Sequence, residues 1–166
     1  MPTANKPLDT DTTGASVKFP PPLVFAILLG LGWLAHASYP ISLSKDPDLS
    51  LFIDILGSLL VLLALALIYR IFCQFKRAET EIEPWKPTRK ILDHGLYAYS
   101  RNPIYLALAL ASIGIGIIAN SIWMATSFIP ALWLVFYIAI KKEEVYLEEK
   151  FGQEYLTYKN RVRRWL

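Results

Sequence analysis

The stretch "PIYLALALASIGIGIIANSIWMATSFIPALWLVFYIAI", residues 103–140, contains no charged side chain. Asn120 and Ser121 divide it into two apolar blocks, roughly Pro103–Ala119 and Ile122–Ile140. A helix crosses a bilayer with roughly 20 apolar residues, so each block is close to the length of one span. A two-residue break leaves room only for a tight helical hairpin. Working outward, two more blocks of the same kind run from about Leu23 to Tyr39 and from about Leu49 to Phe72, with Pro40 and Pro47 bracketing the connection between them. The reading is all-α: a multi-pass transmembrane helical bundle of four spans.

Composition agrees. Of 166 residues, 54% are hydrophobic and mean hydropathy is +0.36, too apolar for an ordinary soluble domain. The single cysteine, Cys73, excludes an internal disulfide and a cysteine-based metal site. Residues 1–21, rich in Thr, Pro, Asp and Lys, read as a flexible tail without a signal-peptide pattern, and 22–166 as a single membrane domain. The formal charge of +3 is modest, but the basic residues are clustered: seven lie between Arg70 and Arg101 and seven from Lys141 onward, while the first connection holds only Lys45. The positive-inside rule then places both termini and the long second connection in the cytoplasm.

Chemistry has to be assembled on that side. Immediately before the hairpin comes "HGLYAYSRNPIY", residues 94–105, with three tyrosines, a histidine, an arginine and an asparagine. Pro103 suits the first turn of a helix, Asn102 its cap, and Arg101 can snorkel, but that does not account for Tyr97, Tyr99 and Tyr105 at one entrance. Beyond the fourth block, Glu143 and Glu144 allow two readings. They are a solvated helix end paired locally with Lys141, or a carboxylate pair holding a cation at the bundle mouth. The helix continues to about Phe151, stops at Gly152 and resumes as a short amphipathic segment; Val162, Trp165 and Leu166 among three arginines suit a membrane surface. Gly30-Leu31-Gly32 and Gly114-Ile115-Gly116 lack the preceding strand and third spaced glycine of a nucleotide loop. Ala107, Ala111 and Gly114 instead share a helix face on which small residues admit a close neighbour. The two histidines, His36 and His94, fall on opposite sides, and no metal site is expected.

"ILDHGLYAYSRNPIYLALAL", followed by the hairpin and "EEVYLEEKFGQEYLTYKNRVRRWL", resembles the isoprenylcysteine carboxyl methyltransferase family, closest to its small prokaryotic members and akin to phospholipid methyltransferases. The resemblance covers roughly residues 76–166. It rests on a Gly-x-Tyr turn, an Arg-Asn-Pro-x-Tyr helix opening, Glu-Glu-x-x-Leu, and Phe-Gly-x-x-Tyr-x-x-Tyr.

What the resemblance implies is an integral-membrane methyltransferase using S-adenosyl-L-methionine, with a cytoplasmic cofactor pocket built from a loop and helix ends. It implies cofactor contacts at Arg89, Lys90, Ile91, Leu92, Tyr97, Asn102, Pro103, Ile104, Tyr105 and Glu143, and catalytic roles for Arg101 and Glu143. The implied location is a prokaryotic inner membrane, and the implied acceptor is lipid-like or a small hydrophobic molecule; no nucleic acid or obligate protein partner is expected. Asn102 stands where eukaryotic relatives have histidine, and Leu96 and Ala98 where related sequences often carry Pro and Arg. Ala139 stands where prenylcysteine enzymes place a substrate-binding arginine, which argues against a carboxylate acceptor. The alternatives are an NADPH-dependent membrane reductase related to the sterol reductases, which share a similar C-terminal half, and a non-catalytic membrane scaffold.

Overall fold

The computed structural model describes residues 14–166, and every regular element among them is helical. Helix α1 spans Pro21–Ser38, α2 Pro47–Arg77, α3 Pro103–Ile118, α4 Ile122–Phe151 and α5 Gln153–Arg161. A short 3-10 turn, Gly95–Ala98, interrupts the second connection. Three helices, α1, α2 and α4, are long and apolar enough to cross a membrane; α3, with 16 residues, is shorter.

The helices begin where the sequence chemistry directs. Proline opens α1, α2 and α3, where its missing N–H costs nothing. Asp46 caps α2 by accepting from Asp48 N at 2.9 Å, and Ser121 caps α4 by accepting from Met124 N at 3.3 Å. Asn102 occupies the cap position of α3, but its side chain does not cap; it is engaged elsewhere.

Helix α4 departs from a uniform span in two places. Pro130 has no N–H to offer the Thr126 carbonyl, and the regular helix is broken at Ser127. Further on, Phe136–Ile140 forms a π turn. A π turn accommodates one extra residue, which rotates everything after it by about 100° relative to a continuous α-helix. Glu143 and Glu144 lie just beyond that rotation. Gly152, at φ 53°, then breaks α4 from α5.

Packing follows the small residues. Helices α2 and α3 cross where Gly57 meets Gly114; a Cβ on either would come within 2.8 Å of the other's carbonyl oxygen. Ala107 on the same face of α3 is fully buried. Helix α1 packs on α3 and α4, and Val24, Phe25, Ala109, Ala131, Val135 and Ile140 form a common core. Leucines of α2 remain exposed, Leu62 by 62% and Leu65 by 55%, as expected of a lipid-facing surface.

Residues 1–13 of the expected tail lie outside the described residues. Residues 14–17 are packed rather than loose, because Ala15 and Val17 find places in the core, Gly14 N donates to Trp85 O at 3.2 Å, and Lys142 Nζ donates to Ser16 O at 3.2 Å. At the other end, the helix expected to resume after Gly152 forms as α5, and the chain is extended from Val162. Val162 is buried against Tyr155 and Tyr158, and Trp165 reaches the main core.

Candidate active site

The second connection, α3's first turn, the end of α4 and α5 enclose a cleft of about 840 Å³, counted out to its open mouth. The connection contributes Lys90, Ile91 and Leu92, and the 3-10 turn contributes Tyr97. Arg101, Asn102, Ile104 and Tyr105 come from the α3 entrance, Glu143, Tyr146 and Leu147 from α4, and Tyr155 and Tyr158 from α5. Residues far apart in sequence meet because the π turn and the Gly152 break aim the ends of α4 and α5 back at the entrance of α3.

The two adjacent glutamates divide into different roles. Glu144 is an ion-pair hub: Arg101 Nη1 lies 3.1 Å from its Oε1, and Arg164 donates through Nε at 2.8 Å and Nη2 at 2.9 Å. Neither local lysine pairs with it; Lys141 instead sits 4.6 Å over the Tyr137 ring. Glu143 accepts one hydrogen bond, from the Tyr105 hydroxyl at 2.8 Å, and no cation among the described residues pairs with it. It faces the cleft, partly buried, with acceptor capacity to spare.

Arg101 is held rather than free. Its side chain is 9% exposed, pairs with Glu144 and donates to the Tyr155 hydroxyl at 3.4 Å, while its Nε is buried without a partner. Asn102 lines the cleft, yet its Nδ2 donates to Arg164 O at 3.0 Å. Ser100 Oγ donates to the same carbonyl at 3.2 Å and Arg101 N to Arg163 O at 3.0 Å, so this corner anchors the extended segment after α5.

Among the other sequence-predicted residues, Lys90, Ile91, Leu92, Tyr97, Ile104 and Tyr105 line the cleft together with Glu143. Arg89 does not; its side chain is exposed while its N–H donates to Thr80 Oγ1 at 3.0 Å. Pro103 is buried at the first position of α3 and also lies outside the lining. Of the three tyrosines at the entrance, Tyr97 and Tyr105 face the cleft and Tyr99 is 75% exposed on another side. The Tyr97 phenol has no hydrogen-bond partner among the described residues; burial, with Glu143 nearby, pushes it up from its ordinary value, so it is a neutral donor.

Tyr155 and Tyr158 were not among the predicted contacts, although the Phe-Gly-x-x-Tyr-x-x-Tyr pattern carried the signal. A spacing of three puts both on one face of α5. Tyr158 OH donates to Tyr97 O at 2.9 Å, tying that face to the 3-10 turn. Phe75, edge-on to Tyr97 at 5.7 Å between centroids, had no sequence signal beyond its place at the end of α2.

Comparison with known proteins points the same way. A family described as phospholipid methyltransferase matches residues 52–154, more than half of the chain. A Saccharomyces cerevisiae protein-S-isoprenylcysteine O-methyltransferase is 39% identical over 80 residues, covering 45% of this chain and 34% of the yeast protein. The human protein-S-isoprenylcysteine O-methyltransferase is 33% identical over 75 residues, 45% of this chain and 26% of its own length. An uncharacterized Haemophilus influenzae protein is 38% identical over 68 residues, 38% of this chain and all of its own length. The chain thus matches about a third or less of the yeast and human enzymes.

Proposed function

The chain belongs to the phospholipid methyltransferase family, and from that premise we propose that it is an integral-membrane methyltransferase that uses S-adenosyl-L-methionine. The single observation that carries this reading is Glu143: a carboxylate facing a cleft, with one neutral partner and no cation among the described residues. Such a group is costly to leave unmatched, and a cationic ligand offsets the cost.

The residues present fit the cofactor. Glu143 suits its cationic part, the Tyr97 phenol can serve a polar atom, and Phe75 and Tyr158 supply aromatic surface. When bound, the cofactor supplies an electrophilic methyl group. The chain's residues bind, align and keep water out, which can provide much of a rate enhancement without a covalent enzyme intermediate. Glu143 holds charge at the cleft. Arg101 is fixed by Glu144 and Tyr155, so its guanidinium is held in one orientation at the cleft wall.

The acceptor we infer is lipid-like or a small hydrophobic molecule with a neutral nucleophile. Ala139 is fully buried inside the π turn, so no cation stands there to receive a carboxylate. S-farnesylated cysteine should therefore turn over poorly beside a lipid amine or a hydrophobic thiol; equal turnover would reject this choice. The topology we infer has four spans, with the cleft and both termini cytoplasmic, supported by the clustering of basic residues at one end. Cysteines placed at Asp48 and Lys86 should label from opposite faces.

The direct test of function is a ligand panel on the purified protein. S-adenosylhomocysteine should raise the unfolding temperature and NADPH should not. Stabilisation by NADPH alone would favour a reductase, and methyl incorporation from labelled S-adenosylmethionine into a lipid extract would identify the acceptor.

A further inference from the structure

A second groove lies on the other side of the 3-10 turn, with about 1750 Å³ of space counted, like the cleft, out to its open mouth. Arg70, Arg77 and Lys90 line it, and none of the three is in an ion pair among the described residues. Lys90 is shared with the cleft, so the two depressions have a common wall. Tyr69 and Tyr99, 70% and 75% exposed, flank the cations. Three unpaired cations between exposed tyrosines, at the end of an apolar helix, have the chemistry of a phosphate-binding site at a membrane boundary.

Two sources of phosphate are conceivable, a lipid headgroup or a soluble ion, and α2 favours the lipid. Leu62, Leu65 and Tyr69 follow one another at spacings of three and four, hence along one face of the helix. They are 62%, 55% and 70% exposed and run straight into the groove. An acyl chain can lie along this face while its phosphate meets the arginines. A soluble phosphate would use only the cations and leave the apolar face unexplained.

We infer that the groove bounded by Arg70, Arg77 and Lys90 is a binding site for the headgroup of an anionic phospholipid, separate from the methyl-transfer cleft. The site does not depend on the identity of the methyl acceptor, nor on methyl transfer at all. Its lipid is held by charge at the head and by α2 along the chain, and the shared Lys90 places that charge beside the cleft.

The test is lipid retention measured by native mass spectrometry on the full chain released from nanodiscs containing equal amounts of phosphatidylglycerol and phosphatidylcholine. Phosphatidylglycerol should be retained preferentially. The Arg70→Gln/Arg77→Gln double variant should lose that preference, by about fivefold per cation removed. A Lys18→Gln/Lys45→Gln control, outside the groove lining, should keep it. The unfolding temperature of the unliganded double variant should match wild type, which separates loss of the groove from loss of the fold without relying on cofactor binding. Equal retention of the two lipids, or unchanged preference in the double variant, would overturn the assignment. Complete displacement of phosphatidylglycerol by millimolar inorganic phosphate would also overturn it, by showing a soluble-phosphate site.

Discussion

The two ends of the helical bundle handle their polar groups in opposite ways. At the end holding the first connection and the hairpin turn, hydrogen bonds are spent internally. Asn120 Oδ1 accepts from Leu43 N at 2.9 Å and Ser44 N at 3.0 Å, its Nδ2 donates to Ser44 O at 2.8 Å, and Trp123 Nε1 donates to Tyr39 O at 2.8 Å. The buried His36 Nδ1 is the exception there. At the opposite end capacity is left over: among the described residues Glu143 has one neutral partner, and Arg101 Nε and the Tyr97 phenol have none. Unsatisfied polar groups cost free energy, so a fold keeps them where a ligand repays the cost. The saturated end is structural, and the unsaturated end is where binding is to be sought.

The same division recurs within one turn of α4, and this gives the sharpest ways to break the contrast. Glu144→Ala should have the largest effect on the fold. It leaves Arg101, 9% exposed, beside a lost carboxylate, at a cost of about 3 kcal/mol in denaturant unfolding of the detergent-solubilised protein. An unchanged midpoint would mean the hub is dispensable. Asn120→Ala should cost about 1 kcal/mol of stability by removing the hydrogen bonds that tie Leu43 and Ser44 to the hairpin, while S-adenosylhomocysteine affinity stays the same. A selective loss of affinity would blur the distinction between the two ends.

The smallest effect is expected at Asp93. The Arg161 guanidinium, 2.7 Å away, holds its carboxyl below the ordinary carboxylate range. A lowered folded value means the pair stabilises above the unfolded value, and the gain is lost as pH falls through the folded value. Both side chains are about half exposed, so Asp93→Asn should cost less than about 1 kcal/mol at neutral pH and nothing once the wild-type carboxyl is protonated. A larger cost in acid than at neutrality would reverse the assignment.

The parts of this architecture legible in the sequence were those fixed by neighbours along the chain. The hairpin at Asn120 and Ser121, the prolines opening three helices, and the stop at Gly152 are local chemistry. Helix α4's interruptions were not foreseen. The break at Ser127 follows from what Pro130 withholds from Thr126, and the π turn lies where Ala139 and Ile140 are buried in the core. The pairing of Glu144 with Arg101 and Arg164, and the use of Asn102 to anchor the last extended segment, join positions distant in sequence that only the assembled fold brings together. Local reading therefore offers Asn102 a cap it does not make and, as one of two readings of the glutamates, a lysine partner that Glu144 does not meet.

The central claim is that the spare carboxylate of Glu143 holds the cationic part of the cofactor. Calorimetric titration of S-adenosylhomocysteine, which retains an ammonium group, into wild type and Glu143→Gln tests it most directly, alongside thermal unfolding of both. Loss of a charge-assisted contact corresponds to about 1.5–3 kcal/mol, so affinity should fall roughly ten- to a hundredfold while the unliganded unfolding temperature stays put. Equal affinities for the two proteins would contradict the account and return Glu143 to the role of a helix-end charge.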